Sequence, residues 1–399
     1  MVKKAIEALN SVEYMEQESI EYGSKDDNGT ESGSAFIMVS IIVVFLITLL
    51  ITSITVIYLL PGIENISSGG PSGALITWED EYREITGLND VQNLDGTGVV
   101  LCIVDSGIDM SHPGLENVKI SGWKDFVGGE QNPYDDEGHG TAMAGIIVAK
   151  NGLQGNAKGV TLLIAKAIDD SGSGSDQTIS ESVDWCADEG ADIISLSLGG
   201  EQGFGSGLFT TDALEQSVED ALDLGIFIVA AAGNDGEDDD GDVESPGSVE
   251  DVICVGGISR NGNIWKGSSV GDNNGRLWPN PILPRNNPDM KPEIVAPSQE
   301  VPILMASGIG NDNWWGWSSG TSAATAWVSG SLALLLEKYP ELQRENSSDR
   351  TSIDEVKNLI MQNSQMKDNQ NEHDDYYGYG ILRVDLLIDA KNNNTVDEI

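Results

Sequence analysis

Histidines that could serve as a catalytic base occur at only three positions, His112, His139 and His373. His139 stands between two glycines at the start of a predicted helix of small residues, where it can exchange protons without steric hindrance. A helix N-terminus opposes protonation, so we expect a neutral, basic imidazole there. His112 precedes a proline and His373 lies in a polar stretch, which favours structural or surface roles for these two.

A hydroxyl nucleophile needs such a base, and Ser322 is the candidate because it opens a long helix of small and apolar residues. Alone, it is more typical of a helix N-cap. It becomes a nucleophile if an imidazole takes its proton and a carboxylate orients that imidazole. Asp105 ends the apolar run VVLCIVD and is either a capping residue or that carboxylate. Asn234 follows the run GIFIVAAAG and is either a turn residue or an oxyanion donor.

The elements that must position these residues are visible as apolar runs with glycine-rich ends: GVVLCIVDSG, VTLLIAKAI, ADIISLSLGG, GIFIVAAAGN and DVICVGGIS. Runs without strict alternation are typical of strands buried on both faces of a parallel sheet. Predicted helices lie between them. The sequence therefore predicts an α/β, doubly wound fold with a mostly parallel central sheet and helices on both faces. In such sheets, chemistry collects at the carboxyl ends of the strands.

Taken in order, the motifs VDSGID, HGTAMAG and GTSAATAWVSG resemble those of the subtilisin-like serine proteases, the subtilases. SLGG at 197–200, AAGN at 231–234 and KPEIVAPS at 291–298 add to the resemblance, as does YGYGILRVDLL near the end. The resemblance covers about residues 78–390. It implies a serine endopeptidase that acts on proteins or peptides and needs no cofactor for catalysis.

The resemblance also implies roles for single residues. Ser322 would be the nucleophile, His139 the general base and then acid, and Asp105 the orienting carboxylate. Asn234 and the backbone N–H of Ser322 would hold the oxyanion. A substrate would add as an extended strand along a groove lined by Ser197, Leu198, Gly199, Gly200, Ala231, Ala232 and Gly233. The alternative is a catalytically inactive subtilase-like module that binds peptides or a partner at the cell surface.

Several positions depart from the family pattern. Ala323 and Ala326 replace a usual Met and Pro, and Trp327, where a histidine is common, is expected to pack in the interior. An insertion at 272–289 is expected to form a surface loop. Secreted subtilases usually carry a folding propeptide of domain size, and residues 61–77 leave no room for one between the long apolar run described below and the body.

Glu244, two residues before Pro246, falls where the base of the family's primary specificity pocket lies. A carboxylate there would favour Lys or Arg before the scissile bond. The alternative is a surface carboxylate in an acidic loop.

The stretch DGEDDDGD, directly after Asn234, offers Ca²⁺ candidates at Asp235, Asp238, Asp240 and Asp242. Its spacing does not match the EF-hand pattern. We therefore favour a solvated acidic loop, with a structural Ca²⁺ ion as the alternative.

The charge balance excludes some partners. With 21 Lys and Arg against 65 Asp and Glu, the formal net charge is −44. Such a chain cannot neutralise phosphates, so we expect no nucleic-acid partner and no electrostatic docking on anionic lipid. The acidic surface is typical of proteins adapted to high salt. Hydrophobic residues at 39% still support a sizeable core, and we expect a monomer.

Residues 35–60 form an apolar run without charge, long enough to cross a bilayer as one helix. The predicted order is a polar tail at 1–34, this transmembrane helix, a flexible linker at 61–77 and a peptidase domain at 78–399. Lys25 precedes the helix and the next cation is Arg83, which favours a single-pass protein with an extracytoplasmic protease domain.

Three cysteines, Cys102, Cys186 and Cys254, allow at most one disulfide, and no CxxC motif is present. Two of them lie in apolar strand-like runs. We expect buried free thiols that pack as small hydrophobic groups.

Overall fold

The computed structural model describes residues 43–44, 46–48, 69–199, 213–236, 242–275, 283–308, 313–344, 346 and 349–397. The chain divides into two units, Met1–Glu64 and Asn65–Ile399. In the first unit, the described residues are helical and their side chains exposed. The predicted tail, most of the predicted membrane helix and the start of the linker lie outside the described residues. Across the ranges just given, no helix is long and apolar enough to span a membrane.

Seven parallel strands form the central sheet of the second unit, in the order β2-β3-β1-β4-β5-β6-β7. The sheet strands are β1 (Val100–Asp105), β2 (Ile120–Asp125), β3 (Thr161–Lys166), β4 (Ile193–Leu196), β5 (Phe227–Ala231), β6 (Ile253–Ile258) and β7 (Ile294–Pro297). β8 (Val301–Leu304) and β9 (Trp315–Ser318) form an antiparallel hairpin. The predicted α/β fold with a mostly parallel sheet is confirmed.

Two packed pairs among the helices contact the strands of this sheet. The helices are α1 (Gly73–Ile85), α2 (His139–Val148), α3 (Asp176–Asp188), α4 (Ala213–Asp223), α5 (Thr321–Lys338), α6 (Thr351–Asn363) and α7 (Val384–Asp397). α3 packs on α4, and this pair contacts β1, β3 and β5. α2 packs on α5, which crosses β4, β5, β6 and β7. Trp327 is buried in α5 and donates to Thr86 Oγ1 at 3.2 Å, so its predicted packing is confirmed.

The second unit begins its regular structure earlier than the predicted boundary at residue 78. α1 starts at Gly73, where Ser72 caps it by accepting a hydrogen bond from the N–H of Leu75 at 3.4 Å. Tyr82 in the same helix is fully buried, and its hydroxyl donates to the carbonyl of Gln299. The end of the predicted linker is therefore part of the folded body.

Two cysteines differ from the prediction of free thiols. Cys102 in β1 and Cys186 in α3 form a disulfide across 84 residues of sequence. Both are fully buried. The fold packs α3 against β1, which brings together two sulfur atoms that no local pattern connects. Cys254 is a buried free thiol, as predicted.

Where the structure describes it, the insertion at 272–289 is mostly exposed or partly exposed, with Leu283 76% exposed, as expected for a surface loop, and Arg285 anchors it to the body. Arg285 donates through both terminal nitrogens to the carboxylate of Asp242, at 2.7 and 2.9 Å. The two side chains are 11% and 1% exposed. A bidentate pair of this kind fixes both loops because each charge is compensated where it is buried.

Candidate active site

Asp105 and His139 are joined at the end of the first sheet strand. Asp105 is the last residue of β1 and is 1% exposed. The Nδ1–H of His139, the first residue of α2, donates to the carboxylate at 2.8 and 3.0 Å. A neutral imidazole that donates through Nδ1 accepts through Nε2. Loss of the proton from Nε2 therefore leaves the tautomer that a general base requires.

The two loops that carry this pair interlock. Asp135 accepts from the hydroxyl of Ser106 at 2.8 Å and from the N–H of Gly138 at 2.7 Å. A Cβ on Gly140 would lie 2.2 Å from the carbonyl oxygen of Gly107, so glycine is required for this approach. Gly138 itself has φ +98°, a conformation that favours glycine. The glycines noted around His139 thus allow contact with the aspartate turn.

The pKa of His139 differs from the prediction of a neutral imidazole. Burial disfavours its charged form, but Asp105, Glu137 and Asp135 outweigh burial and raise its pKa to about 9. Glu137 lies close because its Oε2 accepts a hydrogen bond from the N–H of His139 at 2.8 Å. The carboxylates around the ring therefore dominate over the helix N-terminus.

Ser322 is the second residue of α5 and faces β4. Its hydroxyl donates to the carbonyl of Ser197 at 3.0 Å, and the hydroxyl of Ser197 donates to the carbonyl of Ser322 at 3.1 Å. Within the described ranges, no hydrogen bond joins Ser322 to His139. Catalytic hydrogen bonds are often long or misaligned before substrate binds, and a rotation about χ1 would free this hydroxyl.

Asn234 is exposed just beyond β5, and its carbonyl oxygen is fixed by the protein. It accepts from the backbone N–H of Thr321 at 2.9 Å and from the hydroxyl of Thr321 at 3.1 Å. The amide nitrogen is thereby directed away from Thr321. The backbone N–H of Ser322 belongs to the first turn of α5 and has no acceptor within the helix. Both donors are available to an oxyanion at this site.

A cavity of about 460 Å³ lies beside His139. Of the predicted groove residues, Ser197, Leu198 and Gly199 line it. Gly200 lies outside the described residues. Ala231, the last residue of β5, and Ala232, which follows it, are buried at 3% and 0% exposure. The lining residues that the sequence did not single out are Glu137, Ile168, Gly172, Ser173, Gly174, Asp176, Ile179, Leu214 and Ser245.

Glu244 lies between the two predicted groove segments. A Cβ on Gly199 would lie 2.1 Å from its Oε2, and a Cβ on Gly233 would lie 2.6 Å from its Oε1. The two glycines therefore leave the space that the half-buried carboxylate fills. Ser245, the next residue, lines the cavity.

Within the described ranges, no group of three His, Cys, Asp or Glu side chains is placed to hold a metal ion. Among the Ca²⁺ candidates, Asp242 pairs with Arg285 and Asp235 is exposed. Asp238 and Asp240 lie outside the described residues.

The two remaining histidines have the structural roles predicted for them. His112 is buried, accepts from the N–H of Gly114 at 2.8 Å and donates to the carbonyl of Trp314 at 2.6 Å. His373 donates to the carbonyl of Pro292 at 2.9 Å. Neither lines the cavity beside His139.

Comparison with known proteins shows the family to which the chain belongs. The Subtilase family (Peptidase S8) matches residues 96–380. The chain is 33% identical to subtilisin DY of Bacillus licheniformis over 74% of this chain and 92% of that protein. It is 32% identical to subtilisin NAT of Bacillus subtilis subsp. natto, over 65% of this chain and 61% of that one. A solved cold adapted subtilisin-like serine proteinase has the same fold, with a TM-score of 0.55, 24% identity and coverage of 73% of this chain and 90% of its own. The chain belongs to the subtilase family and is a subtilisin-like serine endopeptidase.

Proposed function

We propose that Asp105, His139 and Ser322 are the catalytic triad of this endopeptidase and that Asn234 contributes to its oxyanion hole. The observation that carries the proposal is the contact of His139 Nδ1 with Asp105, at 2.8 Å, beside the cavity. It fixes the ring so that the other nitrogen can serve Ser322.

In the reaction, Ser322 Oγ attacks the scissile carbonyl while His139 Nε2 takes its proton. Asp105 stabilises the imidazolium that forms. The carbonyl oxygen becomes an oxyanion that accepts from the amide of Asn234 and from the backbone N–H of Ser322. His139 then protonates the leaving amine, and a water molecule repeats the sequence to release the acyl group. Each role is filled by a group of the chain, so we infer that catalysis needs no cofactor.

Substitution of the orienting carboxylate tests this proposal. Asp105→Asn keeps the shape of the side chain but favours the wrong imidazole tautomer, and in a comparable triad this lowers kcat by about 10⁴-fold. We expect a loss of that order in peptide hydrolysis, with KM nearly unchanged. A variant that keeps more than a tenth of the wild-type kcat would remove Asp105 from the triad.

Substrate is proposed to bind as an extended strand along Ser197, Leu198 and Gly199, which line the cavity. The position of Glu244 against Gly199 and Gly233 supports a carboxylate at the base of the pocket that receives the residue before the scissile bond. We propose that this residue is preferentially Lys or Arg, because a cationic side chain is attracted to a carboxylate at the base of the pocket.

Membrane attachment is a second part of the proposal. Residues 35–60 carry no charge and have the length of a transmembrane helix. We propose that they anchor the protein with the protease domain outside the cytoplasm. The Cys102–Cys186 disulfide supports this orientation, because disulfides are typical of oxidising compartments. Protease added to intact cells should degrade the body of the protein, and full protection would reverse the orientation.

A structural Ca²⁺ ion in the loop at 235–242 remains a prediction. Asp242 contributes little to it, because Arg285 occupies both of its carboxylate oxygens. A chelator that leaves both the melting temperature and the activity unchanged would refute the ion.

A further inference from the structure

Lys166 is a fully buried lysine at the edge of the site. It is the last residue of β3, is 0% exposed and pairs in register with Asp105 of β1. Its Nζ donates to the carbonyl of Ser106 at 2.6 Å, to Asp136 Oδ1 at 2.7 Å and to the carbonyl of Ile168 at 2.9 Å. An ammonium group has three N–H bonds, and each has an acceptor here.

The three acceptors belong to three different segments that build the site. Ser106 directly follows Asp105, so its carbonyl lies in the aspartate turn. Asp136 belongs to the loop that leads into His139. Ile168 lines the cavity beside the histidine. One buried group therefore connects the aspartate turn, the histidine loop and the cavity wall.

The surroundings of Lys166 also fix the side chain itself. Its Nζ lies 4.8 Å from the ring centroid of Tyr134, a distance at which a cation and an aromatic face attract. Tyr134 precedes Asp135, whose carboxylate bonds the hydroxyl of Ser106. Lys166 therefore lies among the residues that join the aspartate turn to the loop before His139.

We propose that Lys166 is a positioning residue for the proteolytic reaction, and this inference rests on the proposed triad. It holds the carbonyl after Asp105 and the loop before His139 at fixed points, so that the hydrogen bond between these two residues has its catalytic geometry. Loss of the lysine leaves the buried carbonyl oxygen of Ser106 and the partly buried one of Ile168 without this donor, and the loops shift to recover one. A displacement of about 1 Å at a catalytic group costs about 10²-fold in rate.

A merely structural role is the competing explanation, and Lys357 provides a matched control. It is also 0% exposed, and it pairs with Asp289 and Glu293. These two partners belong to neither the aspartate turn nor the histidine loop. Loss of Lys357 should therefore destabilise the fold without displacing the site, because Asp289 loses its cation and Glu293 keeps only its pairing with Lys291.

The test compares Lys166→Met with Lys357→Met in the full-length enzyme. For each, kcat and KM for a peptide substrate are measured per active site, titrated with a fluorophosphonate. We expect Lys166→Met to lower kcat by at least about tenfold with KM within about threefold. Lys357→Met should lower the melting temperature and keep kcat within about twofold. A Lys166→Met enzyme with wild-type kcat per titrated site would overturn the proposal.

Two further variants keep the test decisive if Lys166→Met does not fold. Asp136 is 42% exposed in its side chain, so Asp136→Ala removes one acceptor without opening the core. We expect it to lower kcat severalfold, and an unchanged kcat would contradict the proposal. Lys166→Arg keeps the charge and should retain more kcat than Lys166→Met. A wild-type enzyme that no fluorophosphonate labels would instead refute the triad itself, which separates the two failures.

Discussion

The carboxylate of Glu137 accepts a hydrogen bond from the backbone N–H of His139 at 2.8 Å, so a second acid besides Asp105 lies against the histidine. Asp105 contacts the ring, whereas Glu137 contacts the backbone and reaches the cavity. Both stabilise the imidazolium. The protonation state of the base therefore depends on the loop before the histidine as well as on the triad.

The carboxylates around His139 predict that kcat/KM increases towards alkaline pH. The base must be neutral to accept a proton, and the pKa of His139 is raised to about 9. We expect kcat/KM to rise with pH to a midpoint near this value, with about 1% of the limiting rate at pH 7. Glu137→Gln removes a negative charge, lowers the pKa of the imidazole and moves the midpoint to lower pH.

The corresponding measurement is a kcat/KM profile from pH 6 to 10.5 for both enzymes. Glu137→Gln should be several times faster than wild type at pH 7 and similar above pH 10. Glu181→Gln, on the exposed face of α3, is the control and should leave the midpoint in place. A Glu137→Gln midpoint equal to or above that of wild type would contradict this account.

Glu244 predicts a preference for a basic residue before the cleavage site. Peptides that differ only in Arg or Phe at that position should differ by at least about tenfold in kcat/KM, because the positive charge of Arg is attracted to the Glu244 carboxylate and the Phe ring carries no charge. Glu244→Gln should reduce this ratio towards one and leave the rate on the Phe peptide similar. Equal cleavage of both peptides by wild type would remove the pocket assignment.

The buried side chain of Glu79 in α1 predicts that the stability of the fold decreases as the pH rises. Burial raises its pKa from 4.5 to about 7, although Arg83 and the N–H of Gln154 act in the other direction. The folded state therefore favours the protonated carboxyl, and its contribution to stability is lost as pH rises from about 4.5 through 7. The shift corresponds to a few kcal/mol, on the order of 3, in the free energy of unfolding above pH 7.

Glu79→Gln should therefore be more stable than wild type at pH 8, with the difference shrinking towards pH 5. Urea denaturation at several pH values measures this, and the exposed Glu84→Gln in the same helix serves as the control. A variant that is less stable than wild type at pH 8 would show that the charged carboxylate is compensated after all.

The Cys102–Cys186 disulfide predicts sensitivity to reductant. A bridge across 84 residues restricts the unfolded chain and contributes about 4.5 kcal/mol in the chain-entropy account. Reductant should lower the melting temperature of wild type and of Cys254→Ala. It should leave a Cys102→Ala/Cys186→Ala double variant unchanged. A wild-type melting temperature that does not respond to reductant would contradict the bridge.

The part of the fold that was predictable from sequence is the part buried on both faces. β1, β3, β4, β5 and β6 all coincide with continuous apolar runs. β2 was not predicted because it lies at the sheet edge, where ISGWKD is half-exposed and carries no such run. β8 and β9 were missed because VPIL contains a proline and WGWS a glycine, residues that are uncommon inside strands.

The residues of the candidate site also differ in whether the sequence alone predicts them. Asp105, His139 and Ser322 could be found because their types and local neighbours are unusual. Lys166 could not, because a lysine at the end of a strand is typical of a solvated surface, and two of its acceptors, Ser106 and Asp136, lie far from it in sequence. The same holds for Arg285, which reaches Asp242 across 43 residues. Such pairings follow from the packing of loops and not from local pattern.

Fluorophosphonate labelling of the full-length chain across a salt series tests the central claim most directly, because the reagent bonds only to a serine hydroxyl that the triad has activated. The account predicts labelling of wild type at one site, and no labelling of Ser322→Ala that melts at the wild-type temperature. Wild type that stays unlabelled at every salt concentration, or a Ser322→Ala variant that labels as wild type does, would contradict it.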